Sequence, residues 1–313
     1  MTDYLSNMHN RPINRIRSIT EFHLLRQLPK PEHPLISVVN IEDMGHAEPE
    51  ETVTLMLDYY NISLKRNFSG KFRYGQQEYD FDEGVMFFIA PGQVFSIEHD
   101  HNGPVRQSGW MLLIHPDFLW NTPLAKTIRQ YEFFDYSVNE ALFLSDKEEA
   151  TVTRIIQAIH QEYQSNIDKF SQGIIISQIE TLLNYSDRFY QRQFITRKIT
   201  NHQILERLSK ILEDYFNSPE QTRNGLPSVQ TIASLLNISP NYLSGLLKVL
   251  TGQSTQQHIH DKLIEKAKEK LSTTNLTVSE IAYDLGFEHP QSFSKLFKTK
   301  TQLSPLEFRQ SFN

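Results

Sequence analysis

The 313-residue chain contains no cysteine. That absence excludes disulfides, cysteine-ligated zinc, iron–sulfur clusters and thiol catalysis together. It has no uncharged apolar run near the ~20 residues of a membrane-spanning helix, so no membrane partner is expected. The opening MTDYLSNMHNRPINR lacks the apolar core of a secretory leader, and a cytoplasmic location is expected. A Gly-rich phosphate loop and a G-x-S-x-G nucleophile elbow are missing as well. Nor is there an excess of basic charge, the net being −6. From Gln203 onward 12 basic residues face 11 acidic ones, leaving 19 of the 31 basic and 26 of the 37 acidic residues in the first 202. Any nucleic-acid footprint must therefore be local rather than a bulk charge.

What is present is the balance of a globular protein, 39% hydrophobic and 22% charged, at a length that admits two domains. The first part, to about Leu144, reads as β-rich. Thr52–Asn67, Phe72–Ile97 and Val105–Trp120 carry β-branched and aromatic strands punctuated by Asp-Glu-Gly and Pro-Gly turns, the pattern of a small barrel or sandwich. The period then becomes helical. Ser145 and Glu148 form a capping box ahead of a stripe of Val152, Ile155, Ile156, Ile159 and Tyr163. A second helix is expected over Gln172–Tyr190, with Ile175, Ile176, Ile179, Leu182, Leu183 and Phe189 as its stripe. That stripe has two readings, packing on its own barrel or pairing with a second copy of the chain. The segment 191–203 reads as a linker or a helix tail, separating a domain over 1–190 from one over 204–313.

The C-terminal domain contains an internal repeat. Val229–Ser254 lies over Val278–Ser304, with Ile232-Ala233 matching Ile281-Ala282, Leu236 matching Leu285 and Asn237 matching Gly286. After one extra residue in the second copy, Leu243 matches Phe293, Ser244 matches Ser294 and Leu247-Lys248 matches Phe297-Lys298. A small alanine where two helices cross, an Asn or Gly able to turn left-handed, and apolar positions on the following helix are the steric needs of a helix-turn-helix. Two such units are expected, over 228–251 and 277–301, the second begun by a Thr277–Glu280 capping box. A joining helix over about Gln256–Leu271 would span ~24 Å at 1.5 Å per residue. Its two recognition helices would enter successive major grooves, ~34 Å apart, with DNA bending or a tilted second helix making up the difference.

On these residues the sequence resembles the AraC/XylS transcriptional regulators. The likeness covers Leu226–Phe308 and is most specific in EIAYDLGFEHPQSFSKLFKTKTQLSPLEFR, which holds Gly286-Phe287, Phe293, Phe297-Lys298, Ser304-Pro305 and Arg309. Gln302 departs from it where the family usually has glycine, an expected change to the turn after the recognition helix. Leu263 stands where arginine is frequent, and Gly245 where a longer side chain is. The resemblance implies an N-terminal cupin-like barrel that senses a small molecule, aided by GVMFFIAPGQ (Gly84–Gln93), followed by helices that pair two chains. The expected architecture is α+β: a cupin-like β-barrel with following helices, then an all-α domain of two helix-turn-helix units joined by a long helix. The expected partners are double-stranded DNA, a small-molecule effector, a second copy of the chain and RNA polymerase. Activation is the expected sign of regulation.

Base-edge readers should be polar residues on the outer face near the start of each recognition helix. The candidates are Asn241, Ser244 and Lys248 in the first unit, and His289, Gln291, Ser294 and Lys295 in the second. Ser239, Ser292, Lys298 and Lys300 are the phosphate candidates. An alternative is a cupin-type enzyme with an appended DNA-binding domain. Metal-binding barrels place a histidine about where Phe95 stands, and KFRYGQQEYDF before it has none. His99 and His101 share a strand face without an evident third ligand, and His115-Pro116-Asp117, His258 and His260 show no metal or triad spacing. No metal, cofactor or catalytic residue is therefore expected. The barrel reads as a pocket in which Tyr59, Tyr60, Phe72, Tyr74, Phe87 and Phe88 either line a ligand or fill the core.

Overall fold

In the computed structural model, residues 13–44, 52–66, 84–98, 108–136, 140–165, 168, 170–196, 198–218 and 225–311 are described. Phe72, Tyr74, the KFRYGQQEYDF stretch and the His99/His101 pair fall outside them. The chain divides into two units, Met1–Gln193 and Phe194–Asn313.

The first unit is built on two sheets. One has the order β1(Asn14–Ile16), β3(Thr52–Leu57), β6(Val94–Glu98), and the other β2(Ile36–Asn40), β7(Ser108–Ile114), β4(Tyr60–Arg66), β5(Val85–Ile89), β8(Leu142–Phe143). Among the described strands, β1 with β3 is the parallel pair and the rest are antiparallel. Strand period two sorts the residues of β4 between two faces. Tyr60, Ile62, Leu64 and Arg66 form one set; Tyr60 meets Phe134 edge-on at 5.0 Å, and Arg66 pairs with Glu149 and bonds Thr153 of α3(Asp146–Tyr163). Asn61, Ser63 and Lys65 form the other. Ile89 and Leu113, the register partners of Asn61, and Met111, the partner of Ser63, belong with Val39 beside Met111 to the buried cluster that includes Leu57, Tyr59 and Phe95, with Ile19 and Phe22 of α1(Ile19–Leu25). Lys65 pairs in register with Gly109, whose φ of 131° and a Cβ position 2.0 Å from the Leu64 carbonyl leave room for glycine alone.

The four described aromatics of that reading divide between the two sides of the sheet. Phe88 packs on Phe133 and Tyr190, at 4.4 and 6.1 Å between centroids, and so fills the layer between sheet and helices together with Tyr60. Tyr59 and Phe87 lie on the inner side, where Phe87 joins Val85 and Ala141.

A short helix α2(Leu124–Thr127) precedes β8, and the two long helices follow it. The Ser145–Glu148 capping box opens α3, and its apolar stripe is buried as expected. α4 runs over Ser171–Thr196. Its Ile175, Ile176, Ile179, Leu182 and Leu183 are each at most 5% exposed within the single chain, so that stripe packs on its own unit. Residues 191–196 and 198–203 are helical: α4 continues to Thr196, and α5(Lys198–Asn217) begins at Lys198. Buried side-chain bonds explain this. Gln193 accepts from the Phe143 amide and donates to the Ala141 carbonyl, while Arg192 donates to Glu148 and to the Phe143 carbonyl.

Among the described residues, the second unit is helical after the end of α4. It comprises α5, α6(Val229–Leu236), α7(Pro240–Thr251), α8(Thr255–Thr273), α9(Val278–Asp284), α10(Pro290–Thr301) and α11(Pro305–Gln310). α5 docks on α8 through Glu213, whose carboxylate accepts from Lys262 and Lys266 at 2.5 Å each. These bonds, with one from Asn217, hold Glu213 down at about 2 from its ordinary 4.5. A carboxylate depressed in the folded state contributes stability above its ordinary value and loses it as the pH falls toward the depressed one. Glu213→Gln is accordingly expected to destabilise the chain at pH 6 and to lose most of that deficit by pH 3. Urea unfolding at both values checks this, and an equal deficit at each pH would contradict it.

Candidate nucleic-acid interface and inner polar face

Both repeat units fold into the same local geometry. In the first, α6 is capped by Ser228 and ends at Asn237 with φ 58°. In the second, α9 is capped by the Thr277–Glu280 box, and Gly286 follows at φ 90°. Each turn is closed by the same bond between residues five apart, Ile238 N–H to Ala233 O at 3.1 Å and Phe287 N–H to Ala282 O at 2.9 Å. Such a closure satisfies helix-end carbonyls and needs a left-handed residue, which Asn tolerates and Gly adopts freely. Beneath the turns Ile232, Ala233, Leu243 and Leu247 match Ile281, Ala282, Phe293 and Phe297, all eight fully buried. Phe293 and Phe297 meet at a tilt, 5.8 Å between centroids, and Phe308 of α11 closes edge-on against Phe297 at 5.4 Å.

α8 joins the units from a Ser254–Gln257 capping box, with Ile259, Leu263, Ala267 and Leu271 buried. Leu263, where an arginine was the alternative, is therefore a core residue here. Arg309 donates to the Leu271 carbonyl near the end of α8, which places a cation at the negative pole of that helix. The expected disturbance at Gln302 does not arise. Gln302 takes φ 64° where Gly252 ends α7 at 73°, and its side chain bonds the Thr299 carbonyl. The left-handed backbone at a residue with a Cβ costs roughly 1–2 kcal/mol.

The recognition helices α7 and α10 present different polar faces. On α10, His289 is the exposed N-cap, and Gln291, Ser292, Lys295 and Lys298 are exposed along it. Ser294 is half-buried. Lys300 is held by Asp261 of α8 at 2.8 Å, so its charge is already matched within the fold. On α7, Lys248 is exposed and Asn241 half-buried. The serines of this unit stand differently from expectation. Ser239 is 7% exposed and accepts from the Tyr242 amide as the N-cap, so its hydroxyl is spent on the helix. Ser244 bonds the buried Thr255 hydroxyl at 3.2 Å, because α7 turns that position toward the start of α8. The second helix thus carries the denser cationic and amide surface.

In the first unit, sequence reasoning missed a polar row on the inner sheet face. Ser37 bonds His23 Nε2 at 2.8 Å. The Tyr59 hydroxyl and Asn61 Oδ1 are buried and have no hydrogen-bond partner among the described residues. An unsatisfied buried polar atom costs ~1–3 kcal/mol. Burial pulls the Lys65 ammonium down to about 8, with Arg26 as the second cause, and burial also lowers Arg26. Burial raises Tyr59. The signal was available in YNISLKR, where alternation puts Asn, Ser and Lys on the face opposite Tyr, Ile and Leu. His258 and His260 are engaged by Thr251 and Gln256, and His115 accepts from the Asp117 amide that starts a helical turn.

Two helix-turn-helix units on one rigid helix, preceded by a β-sheet unit with a polar interior, define a DNA-binding transcriptional regulator with a ligand-binding domain. The comparisons with known proteins agree. Residues 232–311 match the helix-turn-helix domain family and residues 59–183 the AraC-like ligand binding domain; the chain belongs to the AraC family of transcriptional regulators. It is 24% identical over 260 residues to the HTH-type transcriptional regulator YfiF of Bacillus subtilis, covering 81% of this chain and 77% of that protein. It is also 24% identical over 261 residues to the transcriptional activator RhaS of an Enterobacter species, at 81% and 86%. Among solved structures, the C-terminal domain of the response regulator yesN from Fusobacterium nucleatum is 32% identical, covering 33% of this chain and 95% of that one, with a TM-score of 0.29.

Proposed function

We propose that the chain is a ligand-responsive transcription activator that lays α7 and α10 into successive major grooves on one face of the duplex. The matched turns at Asn237 and Gly286, fixed to the two ends of α8, carry this reading. Gln291, Lys295 and His289 read bases from α10, assisted by Ser294, and Asn241 and Lys248 do so from α7. Ser292 and Lys298 sit on phosphates, and Lys300 joins them only if it leaves Asp261. Ser239 and Ser244 serve the fold instead. A small molecule bound by the first unit shifts the population of DNA-competent conformers. Two copies pair through the outer side of α4, where Phe170 and Ile174 are exposed, and paired sites multiply affinity through effective concentration. RNA polymerase is the expected partner of the bound activator. No catalytic role is assigned: Phe95 is buried where a metal-binding barrel carries histidine, and the related proteins are regulators.

Selection of bound sites from a random duplex pool, followed by a salt titration on the winners, tests this. Enriched sites with two elements about one helical turn apart, and a steep fall of affinity with salt, are expected. Weak binding indifferent to sequence would overturn it.

A further inference from the structure

We propose that Asp261 is an internal stand-in for a DNA phosphate: it occupies Lys300, the last lysine of α10, and so sets how firmly the protein is retained on duplex of any sequence. The proposal rests on the reading of α7 and α10 as recognition helices and names a regulator of their grip on the backbone. The first observation is which cations are free. Among the described residues, Lys248 of α7 and Lys295 and Lys298 of α10 make no ion pair, whereas Lys300 Nζ stands 2.8 Å from Asp261 Oδ1. From Gln203 onward the chain is nearly neutral, 12 basic residues against 11 acidic. One lysine held or released is then a large part of the charge offered to phosphates.

The second observation is how Asp261 is held. Its other oxygen, Oδ2, accepts from Gln253 Nε2 at 3.0 Å, and Gln253 follows directly on Gly252 at the end of α7. The carboxylate is thereby fixed from the α7 side while it reaches the last turn of α10. It offers Lys300 an anionic oxygen at the distance a phosphate oxygen would take, since charge-assisted bonds of either kind run to ~2.7–2.9 Å. His260, beside it on α8, does not compete for the carboxylate. Burial and then the Lys300 charge push that ring down from its ordinary value, and its Nε2 meets Gln256 at 2.9 Å.

The third observation is that the pair can be exchanged. The Lys300 and Asp261 side chains are 29% and 44% exposed, and ion pairs open to water are weak. Glu213 differs, because its partners Lys262 and Lys266 are 19% and 9% exposed and tie α5 to α8. Asp261 thus screens a recognition-helix cation without being needed for the fold. While Lys300 stays on it, one counterion fewer is released from the duplex on binding.

The test uses the full chain with a random-sequence duplex and one drawn from the selection, read by anisotropy across a salt series at neutral pH. Asp261→Asn keeps the side-chain shape and an acceptor for Gln253. It should bind both duplexes more tightly, by roughly threefold or more at low salt, and steepen the slope of log affinity against log salt by about one. Asp261→Asn combined with Lys300→Ala should return affinity and slope close to the parent's, because a matched pair has been replaced by two neutral side chains. A carboxylate that merely tied α7 to α10 would weaken binding when removed, so the sign separates the two roles. Weaker or unchanged binding by Asp261→Asn, loss of its folded state by circular dichroism, or a double variant whose slope falls about one below the parent's would each overturn the proposal. A parent that binds no duplex would overturn the DNA-binding reading, and this proposal with it.

Discussion

Replacing Phe297 with alanine is expected to destabilise the second unit by ~3–5 kcal/mol and to abolish duplex binding. The ring is fully buried and is held between Phe293 and Phe308. Removing it leaves a cavity between α10 and α11, and a rigid aromatic cluster collapses poorly into such a space. A domain whose whole stability is ~5–15 kcal/mol then populates states in which α10 is undocked. Urea unfolding followed by helical circular dichroism, together with duplex binding by anisotropy, measures both effects. A variant that unfolds within about 1 kcal/mol of the parent and still binds would show that the Phe293–Phe297–Phe308 cluster does not position the recognition helix.

Gln291→Ala is expected to cost ~1–3 kcal/mol on the best site, roughly 5–150-fold, and to relax preference at one base pair. The residue is exposed one position inside the start of α10, behind Pro290 at N1. A glutamine there has two donors and an acceptor to set against adenine, and truncation leaves the base edge unmatched. The comparison is Lys298→Ala, also exposed on α10 but a turn and a half or more further along. It should weaken all duplexes alike and reduce the slope of log affinity against log salt by about one. The salt slope and the relative affinities for single-base variants of the site distinguish the two. Equal loss across all sequences for Gln291→Ala would move that residue from base to phosphate.

The second unit was the more legible in the sequence, for a physical reason. Its signals are local: Asn237 and Gly286 turn the chain within themselves, and Thr277 and Glu280 bond across three residues. What the repeat could not give was the direction of each hydroxyl. Ser239 and Ser244 occupy positions that a helical wheel leaves polar, yet one caps its own helix and the other meets Thr255 from a different one. The first unit was legible in its class and in the stripes of α3 and α4, and less so in detail. Its pairing joins β2 to β7 and β1 to β3 across long separations in sequence, which no local pattern specifies. Likewise the continuation of α4 through Thr196 depends on Gln193 reaching a residue 50 positions earlier.

α8 makes length and phase inseparable. A flexible tether of the same span would let two recognition helices search for grooves independently. An α-helical joint of 19 residues forbids this, because every residue added advances the second unit by ~1.5 Å and rotates it by ~100°. One inserted residue would leave α10 facing away from the duplex while barely changing its distance. Only insertions close to whole turns would restore its aspect, and each would then ask for a differently spaced site. The spacing of the operator is in this sense counted in residues of α8, and the protein reads a distance along DNA as well as a sequence.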